Sequence, residues 1–276
     1  MLCEGAHKAQ TVLQPQWVYH NTAKYPATMK EMKLSAIYQA DGKTLEYAEL
    51  GLNPYTGCSH NCSYCYNKRE GRPQGPYDQP AKKASLKNIQ HDLLMLERDH
   101  DRRPVHISFM CDPYDMGRAN NSHIRDILMA FRAYDHPFQI LTKGGMLAAK
   151  DFDLYGHDDS FGVTLTFDND ADSRRFEPGA ALPKDRIAAL LEAHSRNIHT
   201  WVSCEPVLFP AQTLKLIEMT HRFVDLFWVG KLTHYPKMEE KIDWPKFRSE
   251  VEALLQKCGK EKGTGYKLLH QLIEAK

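Results

Sequence analysis

Strand-like and helix-like apolar patterns alternate along most of this chain, and that alternation restricts the fold more than any other feature. Short runs rich in β-branched and aromatic residues, bounded by turn residues, predict six strands. These runs lie at residues 44–52, 104–111, 137–142, 160–167, 198–205 and 224–230. Apolar residues recur at helical spacing between or after them, in segments 86–96, 124–131, 187–191, 214–223 and 247–255. Only the interval 144–156 carries a weak pattern.

Strands that alternate with helices pair in parallel through right-handed crossovers. The sequence therefore predicts an α/β fold, either an open doubly wound sheet or a partial or complete barrel. In both architectures ligands bind at the carboxyl ends of the strands. We therefore expect functional residues in the loops that follow the predicted strands.

The two ends of the chain do not follow this rhythm. Residues 1–45 show no sustained period and are predicted to form an N-terminal extension. The alternating part, residues 46–235, is the predicted core, and residues 236–276 are predicted to form a helical segment packed on it. No Ser/Gly-rich linker or break in composition divides the chain, which favours one domain.

Composition and charge exclude several classes of protein. Apolar residues make up 42% of 276, which is enough for a globular protein with a buried core. Lys plus Arg (36) balances Asp plus Glu (35), so the net charge gives no reason to expect tight binding to a polyanion. No apolar run approaches the roughly 20 residues that cross a bilayer, and the N-terminus lacks the layout of a signal peptide. We expect a cytoplasmic protein that does not enter a membrane.

Three of the seven cysteines are concentrated in the loop after the first predicted strand. The stretch "NPYTGCSHNCSYCYNK", residues 53–68, places Cys58, Cys62 and Cys65 in a C-x3-C-x2-C pattern. In a reducing compartment an odd number of cysteines argues against disulfides and favours metal or redox chemistry. Close spacing lets three thiolates converge on one [4Fe–4S] cube, and a cube with three protein ligands keeps one iron open to another ligand.

Two other interpretations of these cysteines compete with the cluster. His60 or His106 would complete a structural zinc site, but such sites usually combine two separated ligand pairs, and the sequence has no second pair. The cysteines would otherwise be small buried side chains in the core. The polar, loop-like character of "GCSHNCSYC" disfavours that role.

The cysteine loop resembles the signature of the radical S-adenosylmethionine (radical SAM) enzymes, including an aromatic residue, Tyr64, directly before the third cysteine. The resemblance implies a [4Fe–4S] cluster whose open iron chelates S-adenosylmethionine (SAM), with Tyr64 beside the cofactor. In that family an electron from the cluster cleaves SAM to methionine and a 5'-deoxyadenosyl radical, which takes a hydrogen atom from the substrate. The protein then positions and shields the reacting groups.

The order of further landmarks resembles one branch of that family, the spore photoproduct lyase group and its bacterial relatives of unassigned function. After the cysteine loop come "ISFMCDPYD", "ILTKGG", "VTLTFDNDADSRRFEPGA" and "WVSCEPVLFP". The element "RRFEPGA", which leads into a helical segment, is the most telling of them. The resemblance implies a partial (β/α)6 TIM-type barrel of parallel strands.

Two residues of these landmarks match positions that the lyase group uses for SAM. Lys143, in "LTK" at the end of the third predicted strand, matches a lysine near the SAM carboxylate, and a cation there suits that carboxylate. An ordinary surface lysine is the alternative. Thr166 falls where the lyase has a SAM-contacting serine, although a threonine also suits a strand for its β propensity alone.

Cys111 closes the second predicted strand and falls close to the cysteine that returns a hydrogen atom to the product radical in the lyase group. The resemblance thus implies a catalytic thiol, and a buried space-filling cysteine is the alternative. Asp112 and Glu205 follow the second and fifth predicted strands, where carboxylates are expected to orient SAM's ribose or a substrate, or to cap the next helix. Cys204, beside Glu205, is a second candidate thiol.

The sequence thus predicts a radical SAM enzyme of the lyase-like branch. Its substrate is expected by resemblance to be a nucleic-acid component, and its reductant a protein such as flavodoxin or ferredoxin. A peptide or small metabolite is the alternative substrate, because one fold hosts many chemistries. A non-catalytic iron–sulfur or zinc module is the alternative outside the enzymes.

Overall fold

Eight strands form one sheet in a computed structural model that describes residues 34–68, 84–117, 122–233 and 235–274. The strands follow one another across the sheet in chain order. They are β1 (Ile37–Gln39), β2 (Leu50–Leu52), β3 (Val105–Ile107), β4 (Phe138–Thr142), β5 (Ser160–Thr164), β6 (His199–Val207), β7 (Leu226–Lys231) and β8 (Tyr266–Leu268).

Helices connect most of these strands. They are α1 (Leu86–Arg98), α2 (Ser122–Ala133), α3 (Asp170–Phe176), α4 (Pro183–Ser195), α5 (Pro210–Thr220), α6 (Pro236–Glu239), α7 (Trp244–Lys257) and α8 (His270–Ile273). Three 3₁₀ segments, Gly42–Glu46, Tyr66–Lys68 and Gly145–Leu154, complete the regular structure of the described ranges. Among these helices none is both long and apolar enough to span a membrane.

The strand pairing confirms the α/β fold and the partial barrel. Strands β2 to β8 pair in parallel, each with its neighbour, and only β1 pairs antiparallel, with β2. Each of the six predicted strands is present. The carboxyl ends of seven parallel strands therefore lie at one edge of the sheet, where a ligand site is expected.

The expected bounds differ from the structure by three residues or more at three of the predicted strands, and the run at 160–167 already ends at Thr164, before Thr166. The first begins at Leu50 rather than at residue 44, because the hydroxyl of Thr44 donates to the carbonyl of Asp41 (2.6 Å) and closes a 3₁₀ turn. The second ends at Ile107, so Cys111 lies in the following loop and not at the end of a strand. After Ile107, the backbone N–H groups of Phe109 and Met110 donate to the side-chain oxygen of Asn53. These two residues therefore do not pair with a neighbouring strand.

Short strands also occur in both terminal segments. Strand β1 belongs to the predicted extension, whose residues 1–33 lie outside the described ranges, and β8 belongs to the predicted C-terminal helical segment. Each has three residues and lies in a terminal segment for which no strand was predicted. The described part of the C-terminal segment therefore contains helix and strand.

The two faces of the sheet carry separate apolar clusters. The main core lies between the strands and the helices. On the other face a small cluster unites Trp201, Trp228 and Leu269 with Tyr47, which stacks on the Trp228 ring at a centroid distance of 4.7 Å. We call Tyr47, His106, Trp201 and Trp228 the aromatic floor, since these rings contact one another below the carboxyl ends of the strands.

Glycine in β5 makes room for this floor. A Cβ atom at Gly162 would lie 2.2 Å from Cε2 of Trp201, far inside van der Waals contact. The indole therefore lies directly against the backbone of the neighbouring strand. This close packing fixes the position of the Trp201 ring in the aromatic floor.

Candidate active site

A cavity of about 550 Å³ opens at the carboxyl ends of the parallel strands. It is lined by all three residues of the cysteine motif and by five other predicted site residues, namely Cys58, Cys62, Cys65, Tyr64, Cys111, Asp112, Lys143 and Glu205. Tyr47 and His106 of the aromatic floor also line it. The folded chain thus brings together predicted site residues that lie up to 147 positions apart, from Cys58 to Glu205.

The three cysteine thiols are soft ligands of the kind that bind iron–sulfur clusters. None is in a disulfide, Cys62 is buried and the other two are partly buried. Burial raises the pKa of Cys58 well above its usual range and that of Cys62 to about 11. Such thiols stay protonated in water at neutral pH, and binding of iron releases their protons. The donor set therefore fits a cluster held by three thiolates.

A zinc ion and an iron–sulfur cube make different demands on the positions of these side chains. Within the described ranges, no three Cys, His, Asp or Glu side chains are grouped so as to hold one metal ion. A tetrahedral site needs every ligand at about 2.0–2.3 Å from one ion, whereas thiolates on a cube bind different iron atoms.

Both histidines that would complete a zinc site make other contacts. The backbone N–H of Met116 donates to Nε2 of His60 (3.3 Å), so the ring proton is on Nδ1, 3.4 Å from Asp112. His106 is buried, and its Nδ1 lies 3.0 Å from the amide nitrogen of Gln139. These contacts give both rings structural partners.

The cysteine loop is held on one side by the segment that follows α3. The backbone N–H of Ser63 donates to the carbonyl of Phe176 (2.8 Å), and the N–H of Gly179 donates to the carbonyl of His60 (3.0 Å). A Cβ atom at Gly179 would lie 2.4 Å from the carbonyl oxygen of Ser59, so only glycine permits this approach. The "RRFEPGA" element therefore supports the cysteine loop.

Asp112 holds the loop on the other side. Its carboxylate accepts hydrogen bonds from the hydroxyl of Thr142 (2.5 Å) and from the backbone N–H groups of Lys143 (2.7 Å) and Tyr114 (2.9 Å). One of its oxygens also faces His60. Asp112 thus joins the end of β4 to the cysteine loop, and these contacts indicate a positioning role. Asp115, which the sequence did not assign to the site, accepts from the backbone N–H of Ser59 (2.7 Å).

Tyr64 points its hydroxyl away from solvent and donates it to Glu177. Thr166 lies behind this ring, fully buried, with its hydroxyl 3.4 Å from that of Tyr64. Thr166 does not line the cavity, whereas Thr164, two residues earlier at the end of β5, does.

Lys143 brings a cation to the cavity wall. Its ammonium lies 5.7 Å from the centre of the Tyr64 ring, and in the described part of the chain no carboxylate lies within 4 Å of it. Burial acts to lower the pKa of Lys143, but the nearby Cys62 and Glu177 outweigh it and raise the pKa above its usual value. A cation in this position favours an anionic ligand.

Cys111 is half-buried in the cavity wall, in the loop that follows β3. Its Sγ lies 3.0 Å from the hydroxyl of Ser108, which also donates to the Cys111 carbonyl (2.6 Å). Cys204 lies elsewhere. It is buried in the main core, and burial raises the pKa of its thiol to about 12, so its expected position at the mouth is not found.

Glu205 forms the polar part of the cavity beside the aromatic floor. The hydroxyl of Tyr47 donates to its carboxylate (2.6 Å) and lies 3.0 Å from the hydroxyl of Ser203. Enclosure raises the pKa of Glu205. Sequence reasoning missed Tyr47, which belongs to no motif, and Ser203, which lies in the "WVSCEPVLFP" landmark. The strand alternation that places Glu205 on this face also places Ser203 there.

Seven parallel strands, a cysteine loop after the first of them and a cavity at their carboxyl ends define an α/β partial-barrel protein with a cofactor-type site. The chain belongs to the radical SAM superfamily, whose family model matches residues 52–224. This match begins at the last residue of β2 and covers the cysteine loop and strands β3 to β6. It confirms the family that the cysteine motif predicted.

Curated relatives of this chain occur in mycobacteria. "Uncharacterized protein Rv2578c" of Mycobacterium tuberculosis is 27% identical over 169 residues, which is 57% of this chain and 49% of the relative. "Uncharacterized protein Mb2609c" of Mycobacterium bovis gives the same values. The chain therefore spans about half the length of the curated relatives that it matches.

Solved structures with the same fold include enzymes with different ligands. Streptococcus suis SuiB bound to S-adenosylmethionine matches with a TM-score of 0.58 at 14% identity, over 79% of this chain and 49% of SuiB. Spore photoproduct lyase complexed with dinucleoside spore photoproduct matches with a TM-score of 0.63 at 12% identity, over 87% of this chain and 80% of the lyase. At these identities the likeness concerns the fold.

Proposed function

We propose that this protein is a radical SAM enzyme that holds a [4Fe–4S] cluster on Cys58, Cys62 and Cys65 and binds SAM in the same cavity. The observation that carries the proposal is the convergence of these three thiols and the Lys143 ammonium on one cavity at the strand ends. Family membership and the SAM-bound state of a structural neighbour support it. An electron donor such as flavodoxin or ferredoxin supplies the reductant.

When bound, the reduced cluster supplies the electron that cleaves SAM to methionine and a 5'-deoxyadenosyl radical able to abstract hydrogen from a substrate. The side chains of this protein bind and orient the reactants. Lys143 pairs its ammonium with the SAM carboxylate. Asp112 keeps the backbone of Lys143 in place through its hydrogen bond (2.7 Å), and the Tyr64 ring adjoins the same cation.

The part of the cavity that Tyr47 and Glu205 line is where the substrate is proposed to bind. Glu205 and Tyr47 offer a hydrogen-bonded polar pair beside aromatic rings, which suits a flat ligand with a polar edge. Cys111 lies on the cavity wall, where its thiol returns a hydrogen atom to the product radical. This arrangement favours a nucleic-acid component as substrate, and the dinucleoside bound by spore photoproduct lyase supports it by analogy.

A peptide substrate is the second candidate, because another structural neighbour, SuiB, binds the precursor peptide SuiA. The two candidates differ in the ligand that turns over. The protein is incubated anaerobically with reductant, SAM and either a deuterated dinucleoside photoproduct or a deuterated peptide. Deuterium in the recovered 5'-deoxyadenosine identifies the class of molecule that was attacked.

The cofactor proposal is tested by anaerobic purification and reconstitution with iron and sulfide. We expect a brown protein with about four irons per chain that cleaves SAM under dithionite. The Cys62→Ala variant removes one ligand and is expected to lose both properties. A colourless wild-type protein with one zinc per chain, or a brown protein that leaves SAM intact, contradicts the proposal.

A further inference from the structure

The Glu177 and Arg186 side chains form an ion pair that solvent does not reach. The Glu177 carboxylate lies 2.5 Å from the Arg186 guanidinium, and each residue is only 1% exposed. Removing two charges from water is costly unless the remaining donors and acceptors of both groups find partners. The partners of this pair therefore indicate what it stabilises.

Arg186 uses its guanidinium to join three parts of the fold. From helix α4, its Nε donates to the carbonyl of Ala181 (2.7 Å) and one terminal nitrogen donates to the carbonyl of Thr164 (3.0 Å) at the end of β5. The other terminal nitrogen donates to Glu177. The position of Glu177 is thereby fixed relative to a strand of the barrel.

Glu177 passes this constraint to the cysteine loop. One carboxylate oxygen accepts from Arg186, and the other accepts the hydroxyl proton of Tyr64. Tyr64 lies between Cys62 and Cys65, and the neighbouring backbone N–H of Ser63 is bonded to the same segment. The turn that carries two of the three thiols is thus anchored through a side chain and through its backbone.

We propose that Glu177 and Arg186 are positioning residues that hold Tyr64, and with it the Cys62–Cys65 turn, in the geometry that retains the iron–sulfur cluster. The inference rests on the proposed function. Residues that orient metal ligands from behind typically contribute about 10–100-fold to metal retention, although they never touch the metal. The "RRFEPGA" element and helix α4 thereby acquire a role in cofactor binding.

The test measures how fast reconstituted protein loses its cluster to an iron chelator, from the decay of its visible absorbance under anaerobic conditions. We expect Glu177→Gln, Arg186→Met and Tyr64→Phe each to lose the cluster about 10–100-fold faster than wild type. The electron paramagnetic resonance spectrum of the reduced cluster should change in the same variants. Unchanged rates and spectra in all three overturn the inference.

A matched control separates this role from a general loss of stability. Arg125→Met leaves the buried carboxylate of Asp151 without its guanidinium partner (3.0 Å), as Arg186→Met does to Glu177, but Arg125 contacts Lys150, Asp151 and Asp153 rather than Glu177 or Tyr64. We expect Arg125→Met to retain its cluster at the wild-type rate. Equal acceleration in Arg125→Met and Arg186→Met overturns the inference, since any unpaired buried charge would then suffice.

A combination of variants tests whether the pair acts through Tyr64. Once the Tyr64 hydroxyl is removed, Glu177→Gln should accelerate cluster loss little further. Independent, multiplying effects of Tyr64→Phe and Glu177→Gln overturn the proposed route. If Arg186→Met fails to fold, the double variant Glu177→Gln/Arg186→Met replaces it, because it removes both charges together.

The wild-type measurement distinguishes the two levels of the hypothesis. A wild-type protein that binds no cluster overturns the proposed function and this inference together. A wild-type protein that binds the cluster, with variants that retain it equally well, overturns the inference alone.

Discussion

The hydroxyl of Ser108 sets the position of the Cys111 thiol. It donates to the Cys111 carbonyl, accepts from the Cys111 backbone N–H (3.3 Å) and lies 3.0 Å from Sγ. These contacts hold the thiol on the cavity wall in a compact loop. The Cys204 thiol is buried in the main core and does not reach a ligand bound in the cavity.

If Cys111 returns a hydrogen atom to the product radical, the product should incorporate deuterium from solvent. A thiol exchanges its proton with solvent, so in deuterium oxide the wild-type product should gain one deuterium at the carbon that carried the radical. Cys111→Ala should still cleave SAM but lose this labelling. Mass spectrometry of the product measures it, and Cys204→Ala is the control. Equal labelling in wild type and Cys111→Ala would remove Cys111 from the mechanism.

His106 predicts a pH dependence of stability. Burial lowers its pKa from 6.5 to about 3, so between these values the unfolded chain binds a proton that the folded protein excludes. Folding stability therefore falls as pH drops below 6.5, by about 1.4 kcal/mol per pH unit from this group, or roughly 2 kcal/mol at pH 5.

Urea unfolding of wild type and His106→Gln at pH 7 and pH 5 tests this. The variant should lose less stability between the two pH values than wild type does. His157→Gln is the matched control, because the His157 side chain is 98% exposed. An equal pH dependence in wild type and His106→Gln would show that His106 is not held neutral.

At the scale of elements, hydrophobic periodicity in the sequence predicted the main strands and helices correctly. All six predicted strands and all five predicted apolar helices are present, because each must bury one face against the other layer. The bounds failed where side chains compete with the backbone, as at Thr44 and Asn53. Helix α3 carries no apolar period, and its start depends on a local contact, the Asn169 side chain accepting from the N–H of Asp172 (2.9 Å).

Motif reasoning had a similar limit at the site. It found the three cysteines, and Lys143 and Cys111 as cavity residues, because chemistry at strand ends follows from the fold class. It did not find the Glu177–Arg186 pair, although it singled out the segment that contains Glu177. Glu177 and Arg186 are 9 positions apart, and they pair only because α4 packs so that Arg186 reaches Glu177. No local sequence pattern specifies this packing.

The packing between β5 and β6 gives a prediction at this scale. Gly162→Ala should destabilise the protein by about 1–3 kcal/mol, because its methyl group would overlap the Trp201 indole at 2.2 Å. The same change in a Trp201→Leu background should cost less, since the smaller side chain leaves room. Denaturant unfolding of the four proteins measures the coupling. An equal cost in both backgrounds would show that Trp201 is not what excludes a side chain at this position.

At the scale of the whole molecule, charge constrains how a nucleic-acid substrate is recognised. With 36 basic and 35 acidic residues, the chain has a formal net charge of +1. Affinity for long nucleic acids comes largely from contacts between basic side chains and phosphates, and such binding falls steeply with salt. The protein should therefore recognise a small part of a substrate within the cavity.

This predicts that, if the substrate is a nucleic-acid component, a dinucleotide reacts about as efficiently as a long strand. Raising salt from about 50 to 200 mM should lower kcat/KM by less than about tenfold, against the 10³–10⁵-fold loss typical of proteins with many phosphate contacts. Steady-state kinetics on both substrates measure this, with uncoupled SAM cleavage as the control. A steep salt dependence for the long strand would instead indicate an extended basic surface.

Support of the cysteine loop by main-chain atoms has an evolutionary consequence. The carbonyls of Phe176 and His60 and the N–H groups of Ser63 and Gly179 exist whatever side chains surround them; Gly179 must be glycine, and position 63 excludes only proline, which has no N–H. These two main-chain hydrogen bonds can therefore persist when neighbouring side chains change, whereas the contacts among Tyr64, Glu177 and Arg186 depend on residue type. A resemblance of architecture at 12% identity to spore photoproduct lyase is what such a scaffold allows.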